Sequence, residues 1–272
     1  MQNANPFREV WDYRGLIGNF ASRELKGKYS ASLLGSVWSL LNPLATLGIY
    51  SLVFGFFLRF PPRVSGNGEL RSFPLFLFAG LVMWNYFFVL VTGSMNSLLN
   101  AGPLLRKIYF PAFAPVFGSA LAVLNQTGIE MALLLVVLLI LGIIGWTWLF
   151  IPVLLVLLTA FAMGIGLWLA VMNARYRDIT HIVGVLLSFL FYTAPIVYPI
   201  EMVRARYAAH PWLRLYEWNP LTMFVESFRN IVWDLHLPPV THLVVLALLS
   251  FGVLAFGWTF FQRRAADVSE EI

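Results

Sequence analysis

Long uncharged stretches constrain the fold of this chain more than any other feature of its sequence. The longest runs from Pro111 to Ala174 and contains one charged residue, Glu130. A helix crosses the hydrocarbon core of a bilayer with about 20 apolar residues, so this stretch is long enough for two crossings. Charged residues make up 11% of the chain, against about 25% in an average soluble domain. We therefore predict an integral membrane protein.

The uncharged stretches predict six membrane-spanning helices. In lipid the backbone must bond internally, which leaves helices or a closed barrel, and such uniform stretches lack the alternating pattern of barrel strands. The predicted fold class is all-α, with a single transmembrane domain over residues 1–272 and its six-helix membrane part within 36–262. We expect the spans in residues 36–58, 73–105, 111–174 (two spans, with a turn at 142–147), 179–200 and 235–262.

Basic residues predict the orientation of the spans. Six spans put both termini on one side, and the segments on that side carry eleven lysines and arginines against seven on the other. Cytoplasmic loops are enriched in these residues, so both termini are expected in the cytoplasm, with residues 263–272 as a tail. The basic residues flank apolar stretches, so topology explains the net charge of +5 and no nucleic-acid partner is expected.

Two segments are neither spans nor ordinary loops. Phe7 to Leu25 has an apolar arc and a polar arc at helical periodicity, which predicts an amphipathic helix in the cytoplasmic interface, within residues 1–35. A solvated tail is the alternative. Pro199 to Leu237 is long and rich in Tyr and Trp, which favour membrane interfaces. We expect short helices on the extracellular side here, between the fifth and sixth spans.

Five short sequence blocks occur at the predicted membrane boundaries. On the cytoplasmic side they are Gly35-Ser-Val-Trp-Ser-Leu-Leu-Asn-Pro43, Leu105-Arg-Lys-Ile-Tyr-Phe-Pro111 and Asn173-Ala-Arg-Tyr-Arg-Asp178, and outside they are Phe191-Tyr-Thr-Ala-Pro-Ile-Val-Tyr-Pro199 and Asn219-Pro-Leu-Thr222. In this order and spacing the chain closely resembles the permease subunits of bacterial ABC exporters for lipid-linked polysaccharides. That family moves O-antigen, capsule and teichoic acid precursors. The resemblance covers about Arg23 to Arg264.

The resemblance implies a homodimer of six-span permeases bound to two copies of a cytoplasmic ABC ATPase. The dimer would export an undecaprenyl-linked glycan across the bacterial cytoplasmic (inner) membrane through a channel between the permeases. The sequence itself has no phosphate-binding G-x-x-x-x-G-K-[ST] loop, because Gly27-Lys28 is followed by Tyr29. ATP and Mg²⁺ are therefore expected on the partner ATPase. We predict a non-catalytic subunit with no cofactor or metal of its own.

The resemblance assigns two cytoplasmic loops to the ATPase contact. The first is expected to form a short coupling helix between Gly102-Pro103 and Pro111, and the second joins spans four and five. The implied contact residues are Leu105, Arg106, Lys107, Tyr109, Phe110, Arg175, Tyr176, Arg177 and Asp178. Without the resemblance, the basic residues would only set the orientation of the chain in the membrane, and the aromatic residues would anchor it at the lipid headgroups.

Aromatic residues are the candidates for a substrate path. Aromatic rings carry large apolar faces, which can stack on sugar rings, and the resemblance implies a channel lined by such residues. The candidates are Tyr50, Trp84, Tyr86 and Tyr192. Because 16% of the chain is aromatic, interface anchoring and helix packing are the alternative for each of them.

The resemblance also gives the N-terminal helix a role in lateral access of the lipid-linked substrate to the channel. Basic side chains near a membrane surface are attracted to anionic lipid. The residues expected to meet the lipid headgroups are Trp11, Arg23, Lys26 and Lys28. Simple membrane anchoring is the alternative.

Other functions compete with polysaccharide export. A secondary transporter would usually need several buried acids or two inverted halves, whereas Glu130 is the single acid within a span. Glu130 is open either to a functional role or to hydrogen bonding with Asn125 and Gln126 in helix packing. A membrane enzyme would need converging acids, histidines or a metal site, and the four histidines are far apart in the sequence. A permease for another lipid or a drug is the nearest alternative.

Overall fold

The structure is a computed structural model that describes residues 6–29, 33–59, 63–68, 70–105, 107–176 and 178–271. Over these residues the fold is helical, and its extended segments form one isolated bridge, between Val64 and Arg71. The all-α class is confirmed. The α-helices in the described part are α1 (Pro6–Asp12), α2 (Arg14–Tyr29), α3 (Trp38–Tyr50), α4 (Phe73–Leu105), α5 (Phe113–Ile140), α6 (Ile151–Arg175), α7 (Ile179–Thr193), α8 (Glu201–Arg204), α9 (Pro220–Val232) and α10 (Val240–Glu271).

Irregular helical turns extend three of these helices. α3 continues as a π-helix over Ser51–Phe57, and 3-10 helices over Trp146–Phe150 and Pro211–Trp218 precede α6 and α9. Pro43 and Pro103 lie inside α3 and α4. Proline inside a membrane helix is tolerated where neighbouring groups satisfy the freed carbonyl.

Five helices in the described residues are long and apolar enough to cross a membrane. They are Trp38–Phe57, Phe73–Leu105, Phe113–Ile140, Trp146–Arg175 and Val240–Arg264. The apolar helix α7 has 15 residues, fewer than the roughly 20 that a straight crossing needs. The chain is therefore a multi-pass membrane protein with five spans by length and composition, and a sixth span at α7 stays a prediction.

The turn between the third and fourth spans lies where the sequence predicts it. α5 ends at Ile140, and the 3-10 helix that leads into α6 begins at Trp146. Gly142 has a positive φ of 82°, a backbone conformation that favours glycine. The long uncharged stretch is thus folded into two helices, as expected.

Helix α4 is the centre of the membrane domain. Most of its residues are buried, and it packs against α5, α6 and α9. The most extensive helix contact joins α6 to α10, where Gly164 and Gly257 meet so closely that a Cβ atom on either would collide with the backbone of the other helix. Small residues at a crossing let membrane helices approach in this way.

The N-terminal segment forms two helices with a break at Tyr13, where a single helix over Phe7 to Leu25 is expected. α2 lies beside the N-terminal half of α5. The Tyr13 and Phe113 rings have centroids 5.9 Å apart, the backbone of Gly118 lies against Phe20, and Lys28 donates a hydrogen bond to Gln126. The apolar side of α2 is therefore covered by α5.

Candidate functional site

The loop between α4 and α5, the first of the two loops expected on the cytoplasmic side, is a turn. α4 continues through Pro103 to Leu105, and the N–H groups of Lys107 and Ile108 both bond the Leu104 carbonyl at 3.0 Å. The sequence predicts a separate short helix between Gly102-Pro103 and Pro111, and for the described residues this prediction is wrong. A residue that precedes proline disfavours the α conformation, so Pro111 leaves too few residues after α4 for another helix.

The side chains of this loop point in different directions. Tyr109 is 99% exposed, whereas the Phe110 ring lies 5.2 Å from the Phe20 ring of α2. Lys107 is exposed, and Arg106 lies outside the described residues. Tyr109 and Lys107 are therefore available to a partner, while Phe110 joins the loop to the N-terminal helices.

The loop between α6 and α7, the second of the two loops expected on the cytoplasmic side, is short and fixed at both ends. Arg175 ends α6 with its guanidinium 5.6 Å from the centre of the exposed Tyr176 ring. Asp178 directly precedes α7, and its carbonyl accepts from the first turn of that helix. Arg177 lies outside the described residues. The loop thus presents Arg175 and Tyr176 at the end of α6.

A hydrogen-bonded chain ties this second loop to α4. The Thr180 hydroxyl donates to Oδ1 of Asn173 at 2.8 Å, which closes the loop. Nδ2 of Asn173 donates to Oδ1 of Asn96 at 3.1 Å, and Asn173 is completely buried. A displacement of the loop would therefore be felt at Asn96.

The aromatic channel candidates divide into two pairs. Tyr192 is 69% exposed, and the half-buried Tyr50 lies near it. Trp84 is buried, 5.4 Å from the Phe191 ring, and the buried Tyr86 shares a 2.6 Å hydrogen bond with Thr159 of α6. Tyr50 and Tyr192 lie on an open side of the chain, whereas Trp84 and Tyr86 lie in its interior.

The headgroup candidates lie on the N-terminal helices. Trp11 is exposed, with the Arg14 guanidinium 5.0 Å from its ring centre, and Arg23 and Lys26 are exposed on α2. Lys28 points along α5 to Gln126. These side chains do not converge on one point, and Arg23 faces α4 whereas Lys28 faces α5.

Two carboxylates, those of Glu24 and Glu130, lie along the contact between α2 and α5. The Ser119 hydroxyl donates to Glu24 at 3.0 Å, and Nε2 of Gln126 donates to Glu130 at 3.4 Å. Burial raises the pKa of Glu24, against the opposing effects of the Ser119 hydrogen bond and of Lys28. Glu130 is thus bonded to Gln126, as its packing alternative requires.

At the opposite end of the fold, Arg229 is completely buried and joins three elements. Its guanidinium donates to the carbonyls of Phe76 in α4 and of Pro195 and Ile196 after α7. It also pairs with Glu226, one turn earlier in α9, at 3.0 Å. α9 is therefore locked to α4 and to the segment that follows α7.

The segment before α9 is held mainly by surface contacts. Glu217 accepts from Arg204 at 2.6 Å and from Tyr207 at 2.8 Å, and the Tyr198 and Tyr216 hydroxyls are 2.5 Å apart. Partial burial acts to raise the pKa of Glu217, but the hydrogen bonds from Arg204 and Tyr207 outweigh it and lower that pKa below 4.5. α8 and the 3-10 helix form one exposed unit above α9.

Comparison with known proteins decides the family. The ABC-2 type transporter family matches residues 16–233, most of the chain. The chain belongs to this family. The O-antigen export system permease protein RfbA of Myxococcus xanthus is 31% identical, over 97% of this chain and 98% of the relative.

More distant relatives have related names. The O-antigen export system permease protein RfbA of Klebsiella pneumoniae is 25% identical over 79% of both chains. The polysialic acid transport protein KpsM of Escherichia coli is 26% identical over 89% of this chain and 90% of the relative. The predicted resemblance to polysaccharide export permeases is confirmed.

Two groups of this ABC-2 family chain are not predicted from the sequence: the buried Arg229 and the bonded pair Asn96 and Asn173. Arg229 is counted among the extracellular topology charges, although its spacing of three from Glu226 in an amphipathic segment is a signal for a paired, buried arginine. Asn96 stands in an uncharged stretch, where each polar side chain needs a partner. Its partner Asn173 belongs to a sequence block noted only for its basic residues.

Proposed function

We propose that this chain is the permease subunit of an ATP-driven exporter that moves an undecaprenyl-linked polysaccharide across the bacterial cytoplasmic membrane. The observation that carries the proposal is the 31% identity to an O-antigen export permease over nearly the full length of both proteins. Membership of the ABC-2 type family adds an ATPase as the source of energy. The chain itself then supplies the path and the partner contacts, and it catalyses no reaction.

The proposed assembly is a homodimer of six-span permeases with cytoplasmic termini and two ATPase subunits. The two cytoplasmic loops would contact the ATPase through Lys107, Tyr109, Arg175 and Tyr176, together with Arg106 and Arg177. Support comes from the exposure of Tyr109 and Tyr176 at the ends of α4 and α6. Because Asn173 and Thr180 fix the second loop, force applied there would move α6 and α7 together.

The ATPase contact can be tested by charge reversal. Arg106→Glu and Arg177→Glu should each lower association with the ATPase in co-purification, or transport-coupled ATP hydrolysis. Arg264→Glu is an additional charge reversal at the C-terminal end of the membrane domain, outside both loops, and serves as the matched control. Normal coupling in both loop variants would overturn the assignment.

The proposed substrate path lies at the dimer interface, beside the open side that carries Tyr50 and Tyr192. These two rings are available for stacking on sugars, and Trp84 and Tyr86 would support the wall from within. The N-terminal helices would guide the lipid-linked substrate laterally to this path through Trp11, Arg23, Lys26 and Lys28. Alanine at Tyr50 and Tyr192 should lower glycan export, with Phe256→Ala at an exposed position of α10 as the control.

Deletion of the gene tests the function directly. The expected result is accumulation of lipid-linked glycan inside the cell, seen by mass analysis of extracted lipids, and its disappearance when the wild-type chain is restored. Accumulation of a different lipid would identify another substrate for the same scaffold. Deletion without any trapped glycan would overturn polysaccharide export.

A further inference from the structure

Polar side chains form a stripe along one face of α4, which is otherwise strongly apolar. Asn85, Thr92, Asn96 and Asn100 are separated by seven, four and four residues, and these spacings bring them to one face of a helix. The stripe covers about 22 Å of the helix axis, at 1.5 Å per residue. Its Asn100 end lies near the first cytoplasmic loop, and its Asn85 end lies well inside the span.

A groove of about 380 Å³ lies between this stripe and α2. Phe20, Arg23 and Glu24 line it from α2, and Thr92, Asn96 and Asn100 line it from α4. This volume falls in the range of about 300–1,000 Å³ that is typical of small-molecule sites. A smaller space beside Val89 continues from the groove towards Asn85 and Glu130.

The groove has hydrogen-bonding capacity that its own residues leave unused. Among the described residues, the Arg23 guanidinium and the Asn100 amide have no hydrogen-bond or ion-pair partner. Asn96 donates one hydrogen bond to the Thr92 carbonyl and accepts one from Asn173, which leaves one donor and one acceptor site unused. Arg23 and Asn100 are exposed and Asn96 is half-buried, so these groups are open to a polar ligand that enters the groove.

The chemistry of the lining selects the class of ligand. A guanidinium presents a fork of donors that matches a phosphate. Amide side chains both donate and accept, as sugar hydroxyls do, and Asn173 fixes the orientation of Asn96 from behind. Phe20 adds a ring at the wall of the groove.

We propose that this groove binds the sugar-phosphate end of the lipid-linked substrate before transport. Arg23 holds the phosphate, and Thr92, Asn96 and Asn100 hold hydroxyls of the sugar next to it. Glu24, which Ser119 already orients, accepts a hydrogen bond from a further sugar hydroxyl. The proposal rests on the proposed export function and deepens it, because it locates recognition of the substrate on α4 rather than on the charges of α2 alone.

Cysteine labelling provides a direct test, because the natural chain contains no cysteine. Asn100→Cys in the full-length chain, reconstituted in lipid nanodiscs, gives one thiol in the groove for reaction with a maleimide. Undecaprenyl diphosphate that carries one N-acetylglucosamine should slow this reaction by about tenfold, the effect of one strong charge-assisted contact. Ser22→Cys, on the opposite side of α2, is the labelling control and should be unaffected.

Two further comparisons assign the contacts. In the Asn100→Cys background, Arg23→Gln should weaken protection, whereas the matched change Arg14→Gln on the same helix should leave it unchanged. Asn96→Leu should weaken protection by the sugar-bearing lipid more than protection by undecaprenyl diphosphate without sugar. Equal protection by the sugar-free lipid, or by phosphatidylglycerol, would overturn sugar recognition.

The outcome separates this site from the export function. If deletion of the gene traps lipid-linked glycan but the probe never protects the thiol at position 100, the groove proposal is wrong and export stands. If the thiol is protected but deletion traps no glycan, the groove binds the probe and polysaccharide export is wrong.

Discussion

Nδ2 of Asn173 lies 3.1 Å from Oδ1 of Asn96 and joins the end of α6 to the middle of the polar face of α4. Thr180 bonds the same Asn173 from the start of α7, so three helices meet at one buried amide. The loop between α6 and α7 lies on one side of this amide, and the groove beside α4 lies on the other. The two proposed contacts, with the ATPase and with the substrate, would therefore be mechanically connected.

Asn173→Leu should both destabilise the protein and weaken coupling. The change leaves the Asn96 acceptor and the Thr180 hydroxyl without their partner, which should cost about 1–3 kcal/mol. Thermal unfolding in detergent measures the first effect, and ATP hydrolysis per exported glycan measures the second. Thr259→Val is the control, because that hydroxyl bonds only the backbone of its own helix. Export and unfolding at wild-type values would refute the connection.

Arg229→Met should be among the most damaging single changes in the fold. It leaves Glu226 as a largely buried charge without its partner, and removal of one member of a buried pair costs about 3–5 kcal/mol. Arg229→Lys should recover little, since a lysine cannot reach three carbonyls with the geometry of a guanidinium. Yield of folded protein and unfolding temperature in detergent are the measurements.

The double change Arg229→Met with Glu226→Gln separates charge from packing. Removal of the unpaired carboxylate should restore part of the stability that Arg229→Met alone loses. No recovery in the double variant would show that the contacts to the three carbonyls, rather than the ion pair, dominate.

The membrane spans could be predicted from sequence because a crossing needs a long uncharged stretch, and the turn near Gly142 follows from the length of one such stretch. The role of Arg229 could not, because its acceptor at Phe76 lies 153 residues away. The charge pattern places Arg229 in an extracellular loop and carries no information on where distant carbonyls point. The same limit hides the link between Asn96 and Asn173.

The candidate site shows a similar division. Block order along the chain predicts the family and the two cytoplasmic loops, which are local features. Tyr86 is buried because α6 packs over α4, where Thr159 bonds its hydroxyl. The aromatic content of the sequence does not show that Tyr86 is buried and Tyr192 is exposed. The first loop is a turn because Pro111 restricts the residue before it, a local signal that the sequence did contain.

Gly257→Ala should separate α6 from α10. Its Cβ would collide with the backbone of Gly164, and overpacking of a tight contact costs about 1–3 kcal/mol. Gly252→Ala on the same helix is the matched control, because nothing lies within 4 Å of the added atom. The unfolding temperature should fall for Gly257→Ala and stay level or rise slightly for Gly252→Ala. An equal effect at both positions would contradict the close crossing.

Acid should loosen the exposed unit above α9. In the folded chain the Glu217 pKa lies below the ordinary value of 4.5, since Arg204 and Tyr207 overcome the effect of partial burial. A carboxylate whose pKa is lowered by folding stabilises the folded arrangement at pH values above its unfolded pKa. This stabilisation is lost as the pH falls through the lowered pKa. A spin label on Ala208→Cys should therefore be restrained at pH 7 and become more mobile only below about pH 4.5. Glu217→Gln should make the label mobile at both pH values, and a pH-dependent change that persists in this variant would assign the effect to another group.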